Sequence, residues 1–297
     1  MEPYRGRFAP SPTGPLHFGS LVAAAGCYLD ARSRGGAWLV RIDDLDPPRV
    51  VPGAADDILR TLEACGMEWD EAVAYQSARR DAYRHAVEAL QQRGLVYPCS
   101  CSRREIADSA LPGLEGYVYP GTCRSGLRDG RAIRALRVRT EGVTVAFDDE
   151  VQGRVSQDLE RDSGDFVLQR ADGVYAYQLA AAVDDADERI TNVVRGADLL
   201  ASTPRQICLQ RLLGLPTPRY AHLPVAVNAE GEKLSKQTYA TPLDRANPLP
   251  SLGAALDFLG LRPPPDATAK LDDLWQWAIA NWKLDRVPRV ASLPAPG

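Results

Sequence analysis

Arg7-Phe8-Ala9-Pro10-Ser11-Pro12-Thr13-Gly14-Pro15-Leu16-His17-Phe18-Gly19-Ser20 carries three prolines and two glycines in fourteen residues, which forbids a regular element through its middle. The residues after it, Leu21-Val22-Ala23-Ala24-Ala25-Gly26-Cys27-Tyr28-Leu29, form a good helix sequence, with Ser20 placed to cap it. A short strand is therefore expected to end near Phe8, followed by a stiff loop and then a helix. That geometry aims backbone N–H groups and the positive end of a helix dipole at one point, an arrangement suited to a phosphate. Gly19 would let a flat ligand such as a nucleobase approach the backbone, and His17 can donate a hydrogen bond to a phosphate oxygen.

A second polar element lies far along the chain. Glu232-Lys233-Leu234-Ser235-Lys236-Gln237 follows the turn Asn228-Ala229-Glu230-Gly231, and its two lysines make a cationic loop able to close over a triphosphate. The pair, in this order, resembles the His-x-Gly-His and Lys-Met-Ser-Lys-Ser signatures of class I aminoacyl-tRNA synthetases. Arg7 to Gly14, Arg41-Ile42-Asp43-Asp44-Leu45-Asp46 and Val194-Arg195-Gly196-Ala197-Asp198 resemble the glutamyl branch of that class, and the likeness runs from about Arg7 to Leu261. The sequence departs from the pattern at Ser20, where the first signature has its second His, and at Leu234 and Gln237 in the second.

Length and composition fit such an enzyme. A chain of 297 residues can bury a substantial core in a catalytic body plus subdomains, and 45% hydrophobic with 25% charged residues reads as soluble and globular. No apolar run of about 18 residues and no basic-then-apolar leader pattern occurs, so a cytoplasmic protein without a membrane partner is expected. The net charge of −4 excludes a general nucleic-acid coat. It leaves room for a local tRNA contact, for which Arg124, Arg128, Arg131, Arg134, Arg137 and Arg139, against the single acid Asp129, are candidates.

The remaining pattern predicts an α/β fold, a Rossmann-like doubly wound parallel sheet with a small insertion and a C-terminal helical segment. The expected divisions are 1–96 and 151–240 for the two halves of the core, 97–150 for the insertion and 241–297 for the tail. Ala37 to Ile42 reads as a buried strand that delivers Asp43 to its carboxyl end, where ligands of open α/β sheets collect. Asp44 and Asp46 read as caps or partners of Arg49. Helices are expected over Pro52–Cys65, Ala78–Arg93, Arg103–Ser109, Gln178–Asp187, Thr203–Leu213, Pro248–Gly260 and Leu271–Trp282, with Thr203 capping its helix. Arg134–Thr140 and Val143–Phe147 read as paired strands. Asp165–Arg170 and Val174–Tyr177 read as a hairpin across Ala171-Asp172-Gly173. Ile190–Val194 is a second buried strand, ending at Arg195, whose charge in a cleft calls for an anion. His222 to Val227 reads as the last strand of the sheet, with His222 a packed residue.

Cys99, Cys101 and Cys123 cluster as zinc ligands do, with Tyr119, Glu105, Asp108 and Glu115 as candidates for the fourth position. The resemblance selects Tyr119, because relatives place a Cys-x-Cys, Tyr-x-x-x-Cys zinc site in the insertion that holds the tRNA acceptor end. It also implies Arg7, Ser11, Asp43, Tyr177 and Arg195 as the glutamate site, and Pro10, His17, Gly19, Ser20 and Lys236 around ATP. His17, Lys233 and Lys236 take the catalytic places, with Mg2+ on the phosphates. The residues themselves leave open a salt bridge of Arg7 to a nearby acid and a core place for Tyr177. Only roughly 60 residues follow Lys236, too few for another sizeable domain. A core without an anticodon-reading module resembles the members of this branch that attach glutamate to queuosine in the anticodon of tRNA(Asp), and a monomer is expected.

Overall fold

The computed structural model describes residues 3–113, 116–127, 130–234 and 242–296. β1 (Arg5–Phe8) runs through the Pro/Gly loop into α1 (Phe18–Ser33), and β2 (Ala37–Ile42) returns parallel to β1, with Phe8 opposite Val40. α2 (Ala54–Ala64) leads to the short β3 (Ala74–Tyr75), parallel to the end of β2. α1 begins three residues earlier than expected. His17, not Ser20, is its N-cap, and Ser20 Oγ at the third helical position accepts from the His17 N–H at 2.9 Å. Gly26 lets this small-residue helix lie directly on the sheet, because a Cβ there would collide with Leu223.

After α3 (Arg80–Gln92), the chain forms β4 (Val96–Cys99), α4 (Arg103–Ser109), the two-residue strands β5 (Pro112–Gly113) and β6 (Gly116–Tyr117), and β7 (Ala135–Val138). β8 (Thr144–Asp149), β9 (Gly153–Asp158), α5 (Leu159–Asp162) and β10 (Val167–Arg170) follow. The expected pairing of 134–140 with 143–147 does not occur. β7 lies between β4 and β10, and β8 pairs with β9. The cause sits at Thr140, whose N–H and hydroxyl both bond Asp165 Oδ1 at 2.8 and 2.9 Å, so the chain leading to β10, not the next residues in sequence, is fastened to the end of β7.

The second half of the core holds α6 (Tyr177–Asp187), β11 (Asn192–Gly196), α7 (Thr203–Leu213), β12 (Arg219–Leu223) and β13 (Val225–Val227). α8 (Leu249–Phe258), α9 (Leu271–Asn281) and β14 (Ser292–Pro294) complete it. Tyr177 opens α6 instead of ending the hairpin, whose second arm is reduced to a bridge between Gln169 and Tyr175. Thr203 is the first residue of α7 and Ser202 its N-cap. Pro224 splits the expected last strand in two, and β13 pairs with β14 from the tail, a strand the sequence did not announce. β11 pairs in parallel with β12, and Thr191 donates its N–H to the Arg5 carbonyl at 3.0 Å, which sets β11 beside β1 on the edge opposite β2. Successive crossovers therefore leave β1 in both directions. The carboxyl ends of β1, β2 and β11 open at this reversal point, where doubly wound sheets bind ligands.

One apolar cluster joins α1, α2, α8 and α9 to β1 and β2, and a second joins α3, α6 and α7 to β4, β7 and β10. The tryptophan-bearing tail packs on the body as expected: Trp275 Nε1 donates to the Cys65 carbonyl at 2.7 Å and Trp282 Nε1 to Asp30 Oδ1 at 3.1 Å. Among the described residues no helix is long and apolar enough to cross a membrane.

Candidate active site

A cavity of about 210 Å³ opens at the reversal point and is lined by Arg7, His17, Gly19, Ser20, Tyr177, Arg195 and Lys233. These come from the end of β1, the first turn of α1, the start of α6, the end of β11 and the loop after β13, so residues more than 200 positions apart share one space. An adjoining cavity of about 150 Å³ is lined by Ser11, Asp43, Gln76 and Arg170, and Tyr177 belongs to both walls. Pro10 faces neither. Its carbonyl accepts the Asp43 N–H at 3.0 Å and so fixes the turn after β2.

Lys236, Ser235 and Gln237 lie outside the described residues, as do Arg128 and Glu115. Both flanks of the lysine segment meet the His17 loop. Leu234 lines the cavity with Gly19, while Pro242 bridges to His17 and the Leu243 N–H reaches the Leu16 carbonyl at 3.2 Å. Lys233 forms an ion pair with Asp198, which lines the same cavity.

The two arginines differ in charge environment. Arg7, 3% exposed, is forked onto Asp185, with Nε to Oδ1 at 3.0 Å and Nη2 to Oδ2 at 3.3 Å. The salt bridge that the residues left open is therefore present. Arg195 is held by neutral acceptors alone: His222 Nε2 at 3.0 Å, Tyr177 Oη at 3.2 Å, Thr203 Oγ1 at 2.7 Å and Gln206 Oε1 at 2.9 Å. Among the described residues no carboxylate forms an ion pair with it. A buried guanidinium with its charge uncompensated is a receptor for an anion.

Behind Arg7 lies a network that sequence reasoning missed. Arg41, wholly buried, donates to Asp43 Oδ1 at 2.8 Å, Asp185 Oδ1 at 2.8 Å and Glu188 Oε2 at 2.9 Å. Its one visible trace in the sequence is an arginine inside an otherwise apolar strand. Burial pushes the Asp43 carboxyl up to about 6, against the pull of Arg41. A carboxylate in that state gains from a cation at the mouth of the cavity. Asp46 pairs with Arg49 at 2.6 Å and Asp44 takes the Ser77 N–H and hydroxyl, both structural roles.

The arginine-rich stretch is mostly consumed inside the protein. Arg124 pairs with Asp165 and Glu160, Arg131 with Glu105, Arg137 stacks 4.0 Å over the Tyr119 ring, and Arg139 bonds the Gly94 and Arg124 carbonyls. Arg134 stays exposed.

Cys99, Cys101 and Cys123 bring their sulfurs within 4.8 Å of one another. The Tyr119 hydroxyl stands 3.4 Å from Cys99 Sγ and 3.6 Å from Cys101 Sγ, and Cys101 and Cys123 are 3.6 Å apart. A tetrahedral zinc with Zn–S bonds of about 2.3 Å and a Zn–O bond of about 2.0 Å requires S···S separations of about 3.8 Å and O···S separations of about 3.5 Å, so the cysteine cluster suits zinc and the Tyr119 hydroxyl stands at a suitable distance from two of its sulfurs. Burial raises the Cys123 thiol, but hydrogen bonds from Tyr119, the Ser100 backbone and Cys101 outweigh it and bring it down to about 6, toward the thiolate a metal needs. Glu105 is occupied by its capping box with Ser102 and by Arg131, and Asp108 by Arg104. Purified protein is expected to carry near-stoichiometric zinc by metal analysis, and Cys123→Ser to lose it together with thermal stability; zinc-free protein of unchanged stability would remove the site.

Residues 4–246 match the family model for class I tRNA synthetases (E and Q), catalytic domain. A relative from Dechloromonas aromatica (strain RCB), named glutamyl-Q tRNA(Asp) synthetase, is 60% identical over 299 residues, covering 99% of each chain. The chain belongs to the glutamyl-Q tRNA(Asp) synthetase family. It is a class I synthetase-type ligase. A relative of the same name from Chromobacterium violaceum is 60% identical over 285 residues, 96% of this chain and 95% of that one. Among solved structures, the glutamate tRNA ligase from Elizabethkingia meningosepticum, in complex with its amino acid, superposes with a TM-score of 0.79 at 26% identity, over 99% of this chain and 67% of that one. The α/β fold with its parallel sheet, expected from the sequence, is that of this class.

Proposed function

We propose that the chain activates L-glutamate with ATP, independently of tRNA, and then transfers the glutamyl group to queuosine in the anticodon of tRNA(Asp). The observation that carries the reading is the single cavity shared by the His17 turn, Lys233 and the uncompensated Arg195. Arg195 takes a substrate carboxylate, with the Tyr177 hydroxyl beside it. Arg7, already neutralised by Asp185, frames the same space, and Ser11 and Asp43 hold the substrate ammonium from the adjoining cavity.

In the first step an α-carboxylate oxygen of glutamate attacks the α-phosphorus of ATP, forming the mixed anhydride and releasing pyrophosphate. His17 and the first-turn N–H groups of α1 face the phosphates, with Gly19 and Ser20 leaving room for the nucleotide, and Lys233 and Lys236 offset the charge that develops there. Mg2+ bound with ATP supplies further neutralisation. In the second step a hydroxyl oxygen of the queuosine cyclopentenediol attacks the acyl carbon and AMP departs. No protein nucleophile is needed. The insertion, with zinc on Cys99, Cys101, Tyr119 and Cys123, is the part offered to tRNA.

Labelled glutamate is expected to pass onto tRNA(Asp) from queuosine-making cells and not onto the same tRNA from cells that lack queuosine, while glutamate-dependent pyrophosphate exchange proceeds without tRNA. Charging of the 3′ end of tRNA(Glu), or exchange that waits for tRNA, would replace this reading.

A further inference from the structure

His222 lies directly opposite Arg195 across the parallel pair of β11 and β12, and its side chain is wholly buried. Its Nε2 meets Arg195 Nε at 3.0 Å and its Nδ1 meets Asp149 Oδ2 at 2.6 Å. A guanidinium offers only donors, so Nε2 must present its lone pair and the ring proton belongs on Nδ1, where Asp149 accepts it. Asp149 is itself immobilised. Its Oδ1 accepts the backbone N–H groups of Val151 at 3.1 Å, Gln152 at 2.8 Å and His222 at 3.0 Å, leaving only Oδ2 for the ring. Burial, aided by the Arg195 charge, pushes the imidazole down to about 4 despite Asp149, so the ring is neutral at physiological pH.

We infer that Asp149 and His222 are positioning residues for Arg195. Asp149 fixes the tautomer that makes His222 an acceptor, and His222 aims the guanidinium at the substrate carboxylate without placing a negative charge against it. A carboxylate directly on Arg195 would orient it equally well but would cancel the charge the substrate must find. Setting the acid one ring further back keeps the orientation and spares the charge. The inference rests on the reading of Arg195 as the carboxylate receptor.

The pinned Oδ1 makes an unusual test available. In Asp149→Asn, the amide oxygen is held by the same three N–H groups, so the amide NH2 faces His222 Nδ1. The ring must then accept at Nδ1 and carry its proton on Nε2, pointing at Arg195. The chain has three histidines, so ring 15N signals after 15N-histidine labelling separate readily. The wild type is expected to show a neutral Nδ1–H ring for His222, and Asp149→Asn an Nε2–H ring. In glutamate-dependent pyrophosphate exchange, Asp149→Asn and His222→Phe are expected to raise the KM for glutamate roughly 10- to 100-fold, with kcat and the KM for ATP within a few-fold. His222→Gln, whose Oε1 restores the acceptor, is expected to recover most of the loss. An Nε2–H ring in the wild type, an unchanged KM in folded Asp149→Asn, or a His222→Gln as impaired as His222→Phe would each overturn the inference. If His222→Phe does not fold, Asp149→Asn and His222→Gln still decide it. Wild-type protein that shows no exchange with glutamate at all refutes the proposed function instead, and the ring signals alone then judge the geometry.

Discussion

Asp185→Ala is expected to destabilise the folded chain by about 3–5 kcal/mol, the cost of stranding a buried charge by removing its partner. Arg7 and Arg41 meet at this carboxylate. Arg41 retains Asp43 and Glu188 when Asp185 is lost, but Arg7 keeps no other ion pair among the described residues while remaining 3% exposed. Thermal unfolding is expected to shift down by on the order of 10 °C. Burial alone would raise the Asp185 carboxyl, but the two guanidinium groups outweigh it and hold it below its ordinary range. Its contribution is therefore complete above the unfolded carboxylate range near 4 and fades as pH falls through its lower folded value, so wild type and Asp185→Ala should converge in strong acid. Removing both charges with apolar residues, Arg7→Met with Asp185→Leu, should recover much of the stability and none of the glutamate activation. A midpoint for Asp185→Ala within about 2 °C of wild type would mean that Arg7 finds compensation elsewhere and that the network is not the unit described.

This network marks where sequence reasoning stops. β2 was legible to the residue because a largely apolar run between Gly36 and Asp43 has one solution; the prolines and glycines also announced β1 and the body of α1, but not the first turn of α1, where His17 and not Ser20 is the cap. Signals of this kind are local. Arg7 and Asp185 are 178 positions apart, and nothing in the acidic end of α6 says which of Asp184, Asp185 and Asp187 turns inward. Tyr177 reads as strand because its residue type favours strands and the preceding residue, Ala176, is not a Ser, Thr, Asp or Asn that would announce a helix. Adjacency in sequence points β7 at the strand that follows it, whereas a side chain at a distant position, Asp165, settles the pairing. The candidate site was legible as a set of residues but not as a division of labour. Which arginine arrives neutralised and which arrives charged depends on Asp185 and Asp149, acids whose partners only the folded chain brings near.

Arg195→Leu is expected to lower kcat/KM for glutamate-dependent pyrophosphate exchange by roughly 10²- to 10³-fold or more, the effect of leaving a desolvated carboxylate without its partner at about 3–5 kcal/mol. Four acceptors, on Tyr177, Thr203, Gln206 and His222, converge on this guanidinium, so a leucine leaves the substrate without a counter-charge and those acceptors without a donor. Arg195→Lys separates the two losses. The ammonium keeps the charge, but without the planar fork it cannot span acceptors on α6, α7 and β12, so activity is expected between wild type and Arg195→Leu, with the KM for glutamate carrying most of the deficit. The same comparison with glutamine as the competing substrate tells which carboxylate Arg195 takes: discrimination falls in Arg195→Leu if it is the side-chain carboxylate, and is kept if it is the α-carboxylate that glutamine shares. A folded Arg195→Leu with kcat/KM for glutamate within a few-fold of wild type would place the glutamate carboxylates elsewhere and leave the shared cavity without its proposed substrate.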